Sequence, residues 1–307
     1  MSFHIYRDTG QAELPASAPN PKLQDASLYM PPKGLQSAVN VALALGQPLL
    51  LTGEPGTGKT QLAYHLAYFF GLGKPLVFNA QTTSNARDLF YRYDALGHFQ
   101  YSQTQKNALS PDDVESRFIH YQALGEAIRH QRKAVVLLDE LDKAPRDLPN
   151  DVLAAIEDLR FDVPEVGKSY AAPADLRPII IMTSNSEKNL PDAFLRRVVY
   201  YHIAFPDHRS LLQIVSKKVD GYDEKGLDAL VAHFETIRSG SEVKLRKNPA
   251  TAELIQWVSL LRRLEFPAEK LVDVDALPES AREMLLASYP VLAKSKEDLK
   301  ALNDWLK

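Results

Sequence analysis

The stretch Gly53-Glu-Pro-Gly-Thr-Gly-Lys59-Thr60 decides the fold class of this chain. It matches the pattern G-x-x-x-x-G-K-[ST] in full, which is the sequence of a phosphate-binding loop. Its glycines allow backbone N–H groups to turn inward around phosphate oxygens, and the positive N-terminal end of the following helix adds to the attraction. Lys59 is predicted to reach the β- and γ-phosphates of a nucleotide, and the Thr60 hydroxyl to ligate Mg²⁺.

The sequence on either side of this loop has the context that the motif requires. Residues 48–51 form a short apolar run, as buried parallel strands do, and residues 59–70 carry apolar side chains at helical spacing. A glycine-rich turn that matches by chance is therefore the weaker interpretation. ATP with Mg²⁺ is the predicted cofactor pair. The residues predicted to bind it from this segment are Gly53, Glu54, Pro55, Gly56, Thr57, Gly58, Lys59, Thr60 and Gln61.

A second polar site is predicted where another short strand ends. The run Ala134-Val-Val-Leu-Leu-Asp139-Glu140 is apolar up to two adjacent carboxylates. Ligands of open parallel sheets bind beyond the carboxyl ends of the strands, which places Asp139 beside the loop. Asp139 is predicted to hold Mg²⁺ through its water shell, since magnesium keeps several waters. Glu140 is predicted to polarise an attacking water as a general base. The alternative is that one or both acids only cap the following turn.

Asn185 ends a third apolar run, Ile179-Ile-Ile-Met-Thr183-Ser-Asn185, at the same predicted edge of the sheet. An amide there would orient the lytic water or detect the γ-phosphate. Asparagine also ends strands simply as a turn residue, but beside a phosphate loop the functional interpretation is favoured. Lys59, Glu140 and Asn185 are therefore predicted catalytic residues, and Thr60 and Asp139 are the predicted metal ligands.

The order of these segments predicts the fold class. Strands alternate with helices between residues 33 and 206, which is typical of a three-layer α/β domain with a parallel sheet. After Pro206 the pattern becomes helical, so residues 207–307 are predicted to form a smaller all-α domain. Residues 1–32 carry prolines at 15, 19, 21, 31 and 32 and are predicted to be an irregular arm.

The segment 81–118 is polar and is predicted to be irregular, whereas residues 160–172 are predicted to form a hairpin. The first of these segments contains a cluster of aromatic residues. A packed hairpin insert is favoured for this cluster over a pore-facing or partner-binding loop. Its members are Tyr91, Tyr93, Phe99 and Tyr101, with Arg87 and Arg92 beside them.

Composition excludes several classes of protein. The 36 basic and 39 acidic residues give a net charge of −3, so the basic footprint of a dedicated nucleic-acid binder is missing. There is no cysteine, which excludes disulfides, thiolate metal sites and a cysteine nucleophile. No apolar run reaches the roughly 18–20 residues of a membrane span, and the first residues lack a secretory apolar core. A cytoplasmic protein without membrane contact is expected.

The motif order resembles that of the AAA+ ATPases, and most closely the MoxR type with its NorQ-, CbbQ- and GvpN-like relatives. The resemblance is carried by GEPGTGKT (53–60), VVLLDELDKAPRDLPNDVLAAIED (135–158) and TSNSEKNLPDAFLRR (183–197). It covers about residues 34–206 by motif order, and 207–307 by helical character only. The resemblance implies that Lys59 is the Walker A lysine, that Asp139 and Glu140 are the Walker B acids, and that Asn185 is sensor 1.

The same resemblance implies a homo-oligomeric ring, commonly a hexamer, in which an arginine of one subunit reaches the γ-phosphate bound to its neighbour. Arg197 matches the position of that arginine. The family usually has an acid just before it, and Arg196 stands there instead, so either arginine is a candidate finger. A solvated arginine at a helix end is the alternative that the residues alone would favour.

The helical domain of such proteins carries a sensor 2 arginine at the start of one helix. The corresponding stretch, Asn248-Pro-Ala-Thr251-Ala-Glu253, has no arginine at the expected place. Lys247, or Arg246 before it, is the candidate substitute, and Lys247 is predicted to contact nucleotide.

The leading hypothesis is an ATP-hydrolysing remodelling factor that acts as a ring on a protein partner. For the MoxR type, the resemblance implies a partner with a von Willebrand factor A domain. A nucleic-acid motor or clamp-loader-like ATPase is the alternative, and the acidic balance counts against it. A small-molecule kinase is disfavoured because the adjacent carboxylates suit attack by water. A switch that hardly turns over is disfavoured because Glu140 is present.

Overall fold

The computed structural model describes residues 6, 13, 20–104, 109–186 and 190–306. It divides into two compact units. We call residues 31–54 and 59–203 the sheet unit. The helical unit consists of residues 204–307 with 55–58 and the first thirty residues, as far as these are described.

The main sheet of the sheet unit has five strands, β1 (Leu49–Thr52), β2 (Leu76–Asn79), β5 (Val135–Asp139), β8 (Ile179–Thr183) and β9 (Val199–His202). They are parallel and lie in the order β2-β5-β8-β1-β9. Residues 49–51 of β1 and 135–138 of β5 are fully or almost fully buried, because helices cover both faces of a parallel sheet. The α/β fold with a parallel sheet is confirmed.

The helices and small strands of the sheet unit follow the chain between these strands. The helices are α1 (Lys33–Leu45), α2 (Lys59–Phe69), α3 (Ala95–Thr104), α4 (Pro111–Phe118), α5 (Ala123–Arg129), α6 (Leu148–Asp158) and α7 (Asp192–Leu195). The remaining strands form two antiparallel pairs, β3 (Tyr91–Tyr93) with β4 (Ile119–Tyr121), and β6 (Arg160–Val163) with β7 (Lys168–Ala171).

The expectation that residues 81–118 are irregular is wrong, because α3 and α4 lie there. The start of α4 carries a signal that the sequence already contained. Ser110 accepts a hydrogen bond from the backbone N–H of Asp113, and the Asp113 side chain accepts one from the backbone N–H of Ser110. With Pro111 in the first helical turn, this is a capping box with a proline at N1. In the aromatic cluster Tyr91 is buried, whereas Phe99 is 61% exposed.

The helical unit consists of helices packed around one apolar core. Its helices are α8 (His208–Lys218), α9 (Glu224–Ser239), α10 (Thr251–Arg263), α11 (Glu279–Ser288) and α12 (Lys296–Leu306). The largest fully buried side chains of this core are Trp257, Tyr289 and Phe234. The predicted all-α character of the C-terminal region is confirmed. Within the described residues, no helix is both long and apolar enough to cross a bilayer.

The described part of the N-terminal arm belongs to the helical unit. The Lys218 ammonium at the end of α8 donates hydrogen bonds to the carbonyl oxygens of Lys22 and Leu23, both at 3.0 Å. The Asn20 side-chain amide donates in return to the Lys218 carbonyl oxygen at 2.8 Å. Residues 20–23 are therefore fixed to the end of α8 by side-chain-to-backbone hydrogen bonds that run in both directions.

A buried carboxylate ties the two small β-pairs of the sheet unit together. The Glu115 carboxylate on α4 accepts hydrogen bonds from the hydroxyls of Tyr121 and Tyr170 and from the Lys168 ammonium. Burial alone would raise the pKa of Glu115, but these three donors outweigh it and lower that pKa to about 2. The ionised form is thus stabilised only in the folded chain.

We expect Glu115→Gln to destabilise the sheet unit at neutral pH. The folded pKa of Glu115 is about 2 and the ordinary value is 4.5, so this stabilisation is complete above about pH 4.5 and is lost as the pH falls towards 2. At 1.36 kcal/mol per pKa unit it amounts to at most about 3 kcal/mol. Urea unfolding followed by far-UV circular dichroism at pH 7 and pH 3 measures it.

The matched control is Asp112→Asn, which removes an 84% exposed carboxylate that pairs with the same lysine. An exposed ion pair contributes about 0–1 kcal/mol, so this variant stays close to wild type. A Glu115→Gln effect of the same size at both pH values would contradict the assignment of the stabilisation to the ionised carboxylate.

Candidate functional site

The polar residues predicted from the sequence meet at one edge of the sheet. The loop after β1 leads into α2, which starts at Lys59, while Asp139 ends β5 and Asn185 follows β8. Because β5, β8 and β1 are neighbours and run in the same direction, their carboxyl ends lie side by side. The strand order therefore brings together groups that are up to 126 residues apart in the chain.

Lys59 lies at the centre of this edge. Its side chain is only 7% exposed, and its ammonium donates to the carbonyl oxygens of Gly53 at 2.8 Å and Glu54 at 2.9 Å. A third bond runs to the Asn185 side-chain oxygen at 3.1 Å. An ammonium has three N–H donors, so all three are engaged. Burial lowers the pKa of Lys59, and the nearby carboxylates, Asp139 first among them, act in the opposite direction.

Thr60 and Asp139 form the group that fits a magnesium ion. The Thr60 hydroxyl lies 3.2 Å from both carboxylate oxygens of Asp139. Within the described ranges, no three His, Asp or Glu side chains form an all-protein metal cage. Magnesium is held by one or two protein oxygens together with waters and substrate phosphates rather than by such a cage. The Thr60 hydroxyl and the Asp139 carboxylate are therefore donors of the kind that would hold Mg²⁺ beside a nucleotide.

Thr183, the last residue of β8, connects the two acids. Its side chain is 1% exposed, and its hydroxyl donates to the Asp139 carboxylate and accepts the backbone N–H of Glu140 at 2.9 Å. One hydroxyl thus fixes both the carboxylate of Asp139 and the backbone of the next residue. Sequence reasoning gave Thr183 no role, because its partners lie on the neighbouring strand.

Glu140 has an unusual backbone conformation, with φ 59° and ψ 46°. A non-glycine residue in this left-handed region carries a conformational cost, and the bond from its N–H to Thr183 holds it there. The Glu140 carboxylate accepts a hydrogen bond from the Lys143 ammonium at 2.6 Å and is 41% exposed. The side chain of the predicted base therefore remains open to water while Lys143 restrains it.

Asn185 is positioned by a carboxylate that sequence reasoning also missed. Asp142 accepts the backbone N–H of Asn185 at 3.0 Å and its side-chain amide at 3.4 Å. Because the amide NH₂ points to Asp142, the amide oxygen is free to face Lys59. The residues after Asn185 that carried part of the family resemblance, 187–189, lie outside the described residues.

The tip of the phosphate loop, Pro55–Gly58, is grouped with the helical unit. Gly56 and Gly58 have φ values of +78° and +90°, a region that favours glycine. A Cβ on Gly56 would come within 2.7 Å of the Ala250 methyl, directly before α10. Of the other predicted binding residues, Gly53 and Thr57 are buried, Gln61 is half-buried, and Glu54 and Pro55 are exposed.

Lys247 lies exposed in the loop before α10. Arg246 pairs with Glu297 at 3.5 Å, and its backbone N–H donates to Asp298 at 2.7 Å, so it is directed towards α12. Between the two candidates, Lys247 is the one not engaged with α12. Its contact with nucleotide stays a prediction.

Arg196 and Arg197 lie exposed at the opposite edge of the sheet from the phosphate loop. They directly precede β9, and the Val199 N–H of that strand donates to the carbonyl oxygen of Pro48, before β1. The loop follows the other end of β1, whose four residues span about 13 Å at 3.3 Å per residue. The predicted fingers and the phosphate loop of one chain are therefore separated by the length of the sheet.

Comparison with known proteins agrees with this geometry. Residues 48–198 match the model of the AAA domain, dynein-related subfamily. The chain is 27% identical over 214 residues to the gas vesicle ATPase GvpN of Haloferax mediterranei, which covers 66% of this chain and 60% of that protein. It is 31% identical over 140 residues to a ClpB chaperone of Nostoc, 44% of this chain and 13% of the chaperone. The chain thus spans less than two thirds of the length of each of these relatives.

Among solved structures, the RuvB Holliday junction branch migration motor of Thermotoga maritima is 15% identical with a TM-score of 0.46. That match covers 87% of this chain and 69% of RuvB, and a likeness at this level supports no argument about function. The domain match and the site geometry identify residues 48–198 as similar to the P-loop domain of the AAA+ class. Within that class, the similarity to GvpN supports a MoxR-like AAA+ ATPase.

We expect Thr183→Val to slow phosphate release about tenfold while nucleotide affinity stays near wild type. The variant leaves the Glu140 N–H without its acceptor at a cost of roughly 1–3 kcal/mol, and 1.4 kcal/mol corresponds to a factor of ten in rate. Steady-state phosphate release and nucleotide titration separate the two quantities. The matched control is Thr236→Val on α9, whose hydroxyl bonds only to its own helix at Ala232. Wild-type turnover by Thr183→Val would contradict this role.

Proposed function

We propose that this chain hydrolyses ATP as a subunit of a ring and uses the reaction to remodel a protein partner. The observation that carries the proposal is the convergence at one sheet edge of the Lys59 ammonium, the Thr60–Asp139 pair and the Asn185 amide. A kinase would transfer the phosphate to the hydroxyl of a second substrate. Here the Glu140 carboxylate, next to Asp139, is open to water, which favours water as the attacking group.

In the proposed reaction Glu140 accepts a proton from the attacking water, whose oxygen bonds to the γ-phosphorus as the bond to the β-phosphate oxygen breaks. The products are ADP and inorganic phosphate. Lys143 keeps the Glu140 carboxylate in place at 2.6 Å. Thr60 and Asp139 would hold Mg²⁺ in this site, and the ion would supply positive charge to the phosphate oxygens.

Lys59 and Asn185 give the site a means of responding to the phosphate. All three donors of the Lys59 ammonium are satisfied by protein oxygens. A phosphate oxygen that takes one of these donors must displace an acceptor, and the Asn185 amide oxygen is the only one of the three that belongs to a side chain. Asn185 is then free to orient the attacking water, while Asp142 holds its backbone.

The distance between the predicted arginine fingers and the phosphate loop of the same chain supports the proposed ring. Arg197 and Arg196 precede β9 at the amino-terminal edge of the sheet, so the γ-phosphate that they serve is one bound to a second copy. A guanidinium supplies planar donors and a permanent charge to the developing charge of the reaction. We infer Arg197 as the finger, from its match to the family position.

A protein with a von Willebrand factor A domain is the proposed partner, on the strength of the MoxR-like class. Lys247 is proposed as the nucleotide contact from the helical unit. The proposed domain division is an arm at 1–32, an ATPase domain at 33–206 and a lid at 207–307. A cytoplasmic location is also proposed, on the strength of the MoxR-like class.

We expect Glu140→Gln to lower phosphate release by about a hundredfold or more, because general-base catalysis contributes 10²–10⁴. Because the variant still binds ATP, a pull-down with ATP retains the partner. The same pull-down with ADP does not retain it. Lys59→Ala loses nucleotide affinity instead. Phosphate-release assays and nucleotide titration give these results.

The matched control for this comparison is Glu126→Gln, which changes a half-buried carboxylate paired with His130. Its turnover stays at the wild-type rate. Unchanged turnover in Glu140→Gln would show that another group activates the water.

We expect Arg197→Ala to lower turnover by about a thousandfold, the lower end for an arginine finger. Mixing it one to one with Glu140→Gln restores phosphate release, because the Glu140→Gln subunits supply Arg197 to intact catalytic sites. A Glu140→Gln/Arg197→Ala double variant as mixing partner gives no recovery. Full activity in Arg197→Ala together with loss of activity in Arg196→Ala would assign the finger to Arg196 instead. A chain that stays monomeric in the presence of ATP would exclude the ring.

A further inference from the structure

A cavity of about 490 Å³ opens in the sheet unit between α1 and α2. Leu49 of β1 and Ile181 of β8 line it, and both are almost fully buried. Its walls include Leu43 on α1 and Leu66 and Phe70 on and just after α2. Ligand pockets have volumes of roughly 300–1,000 Å³, so an occupant of side-chain size or larger fits. The polar lining residues are exposed or half-buried and belong to the rim: Gln47, Lys133, Asp175 and Arg177.

Three consecutive aromatic side chains project where α2 ends, beside this cavity. Tyr68, Phe69 and Phe70 are 60%, 68% and 44% exposed, and we call them the α2 tip. The rings of Phe69 and Phe70 pack edge to face with their centroids 5.0 Å apart. Because Phe70 lines the cavity, the Phe69 ring lies one ring away from it. Contiguous exposed apolar side chains mark an interaction surface, whereas single ones are ordinary.

The two helices beside the cavity are almost without charge. After Lys33, α1 contains no Asp, Glu, Lys or Arg, and after Lys59 the same is true of α2. A helix at the surface of a globular protein ordinarily carries charged residues on its outer face. Depletion of charged residues together with exposed aromatic side chains is typical of the core of an interface.

A second copy of this chain is the occupant that these features favour. In a two-fold pair the same surface meets itself, so a charged surface would place like charges opposite each other at a cost of several kcal/mol. This surface has no such charges on its two helices. It also carries both protruding rings and an apolar cavity, so each copy supplies what the other can receive.

The area of the surface fits a weak dimer. An aromatic side chain buries roughly 150–250 Å², so three of them at 44–68% exposure bring about 300–400 Å² per copy. Together with the cavity walls that they cover, the pair buries on the order of 1,000 Å², at the lower limit for a specific interface. Association at micromolar concentrations is therefore expected.

We propose that two copies of this chain pair about a two-fold axis, with the α2 tip of each inserted into the cavity between α1 and α2 of the other. This contact goes beyond the proposed ring and does not depend on it. Lys59 begins α2, and Phe69 lies ten residues further on, about 15 Å along the helix axis. The phosphate loop therefore stays accessible in the pair.

Two variants that disable opposite halves of the contact test it. Phe69→Glu removes the protruding ring and keeps the cavity, whereas Leu43→Trp fills the cavity and keeps the α2 tip. In sedimentation equilibrium without nucleotide, we expect each variant to raise the dissociation constant of the dimer at least about tenfold, as the loss of an interface anchor does. Mixed one to one, the two variants form a heterodimer, because the Phe69 ring of one enters the open cavity of the other.

The matched control is Phe99→Glu on α3, which replaces a phenylalanine that is 61% exposed and lies outside the cavity lining. Its dissociation constant stays at the wild-type value. Ala174→Trp fills the cavity from its exposed rim and serves as a second blocking variant. Titration with ADP shows that each variant keeps a folded nucleotide site. The dimer persists at about 1 M NaCl, where contacts between charges are screened.

A wild-type chain that stays monomeric without nucleotide overturns the pairing, and so does an unchanged dissociation constant in Phe69→Glu. Binding of anilinonaphthalene sulfonate by such a monomer, with loss of that binding in Leu43→Trp, would assign the cavity to a small apolar ligand instead. Loss of the protein partner when Phe69→Glu is added to the Glu140→Gln pull-down, with a monomeric wild type, would assign the α2 tip to that partner.

Phosphate release separates this inference from the proposed function. We expect Phe69→Glu to keep the wild-type rate while it loses the dimer, because the pair leaves the phosphate loop accessible. Loss of both would place the α2 tip in the ring interface and overturn the two-fold pairing. Absence of phosphate release in the wild type would overturn the proposed function and leave the dimer measurement unaffected.

Discussion

The common direction of the five strands is the constraint on which the rest of this molecule depends. Parallel strands collect their carboxyl ends at one edge and their amino ends at the other. Lys59, Asp139 and Asn185 stand at the first edge, and Arg177, Arg196 and Arg197 at the second. Since β5, β8, β1 and β9 follow one another in the sheet, both groups are mounted on neighbouring strands. The sheet fixes their spacing and prevents either group from reaching the other within one chain.

At the carboxyl edge the geometry depends on a single buried hydroxyl. Thr183 accepts the backbone N–H of Glu140 and donates to Asp139, so it links strand β8 to the acids that end β5. The left-handed backbone of Glu140 is costly by itself and persists because this bond offsets part of the cost. The two acids consequently diverge, one towards Thr60 and the other towards solvent and Lys143. The adjacent carboxylates have different partners because one neighbour, Thr183, holds the backbone between them.

Local patterns in the sequence were sufficient for the parts of the site that follow a buried strand. The loop at Gly53–Thr60, Asp139 and Asn185 were all predicted from such patterns, and the structure brings them together. Groups that act across strands had no local signal: Thr183 bonds to a residue 43 positions away, and Arg177 packs against Ile156 and Gly46. The helix at Pro111–Phe118 was missed for a different reason, since its cap was present but the polar composition of the segment was given more weight.

Strand β8 carries polar groups at both of its ends. Arg177 precedes it by two positions and donates to the carbonyl oxygen of Ile156, while Thr183 ends it and Asn185 follows. Its residues 180–182 are buried between β5 and β1, and a close-packed strand of this kind moves as a body rather than bending. A displacement of β8 as a body would therefore move Thr183, and with it the hydroxyl that holds the Glu140 backbone.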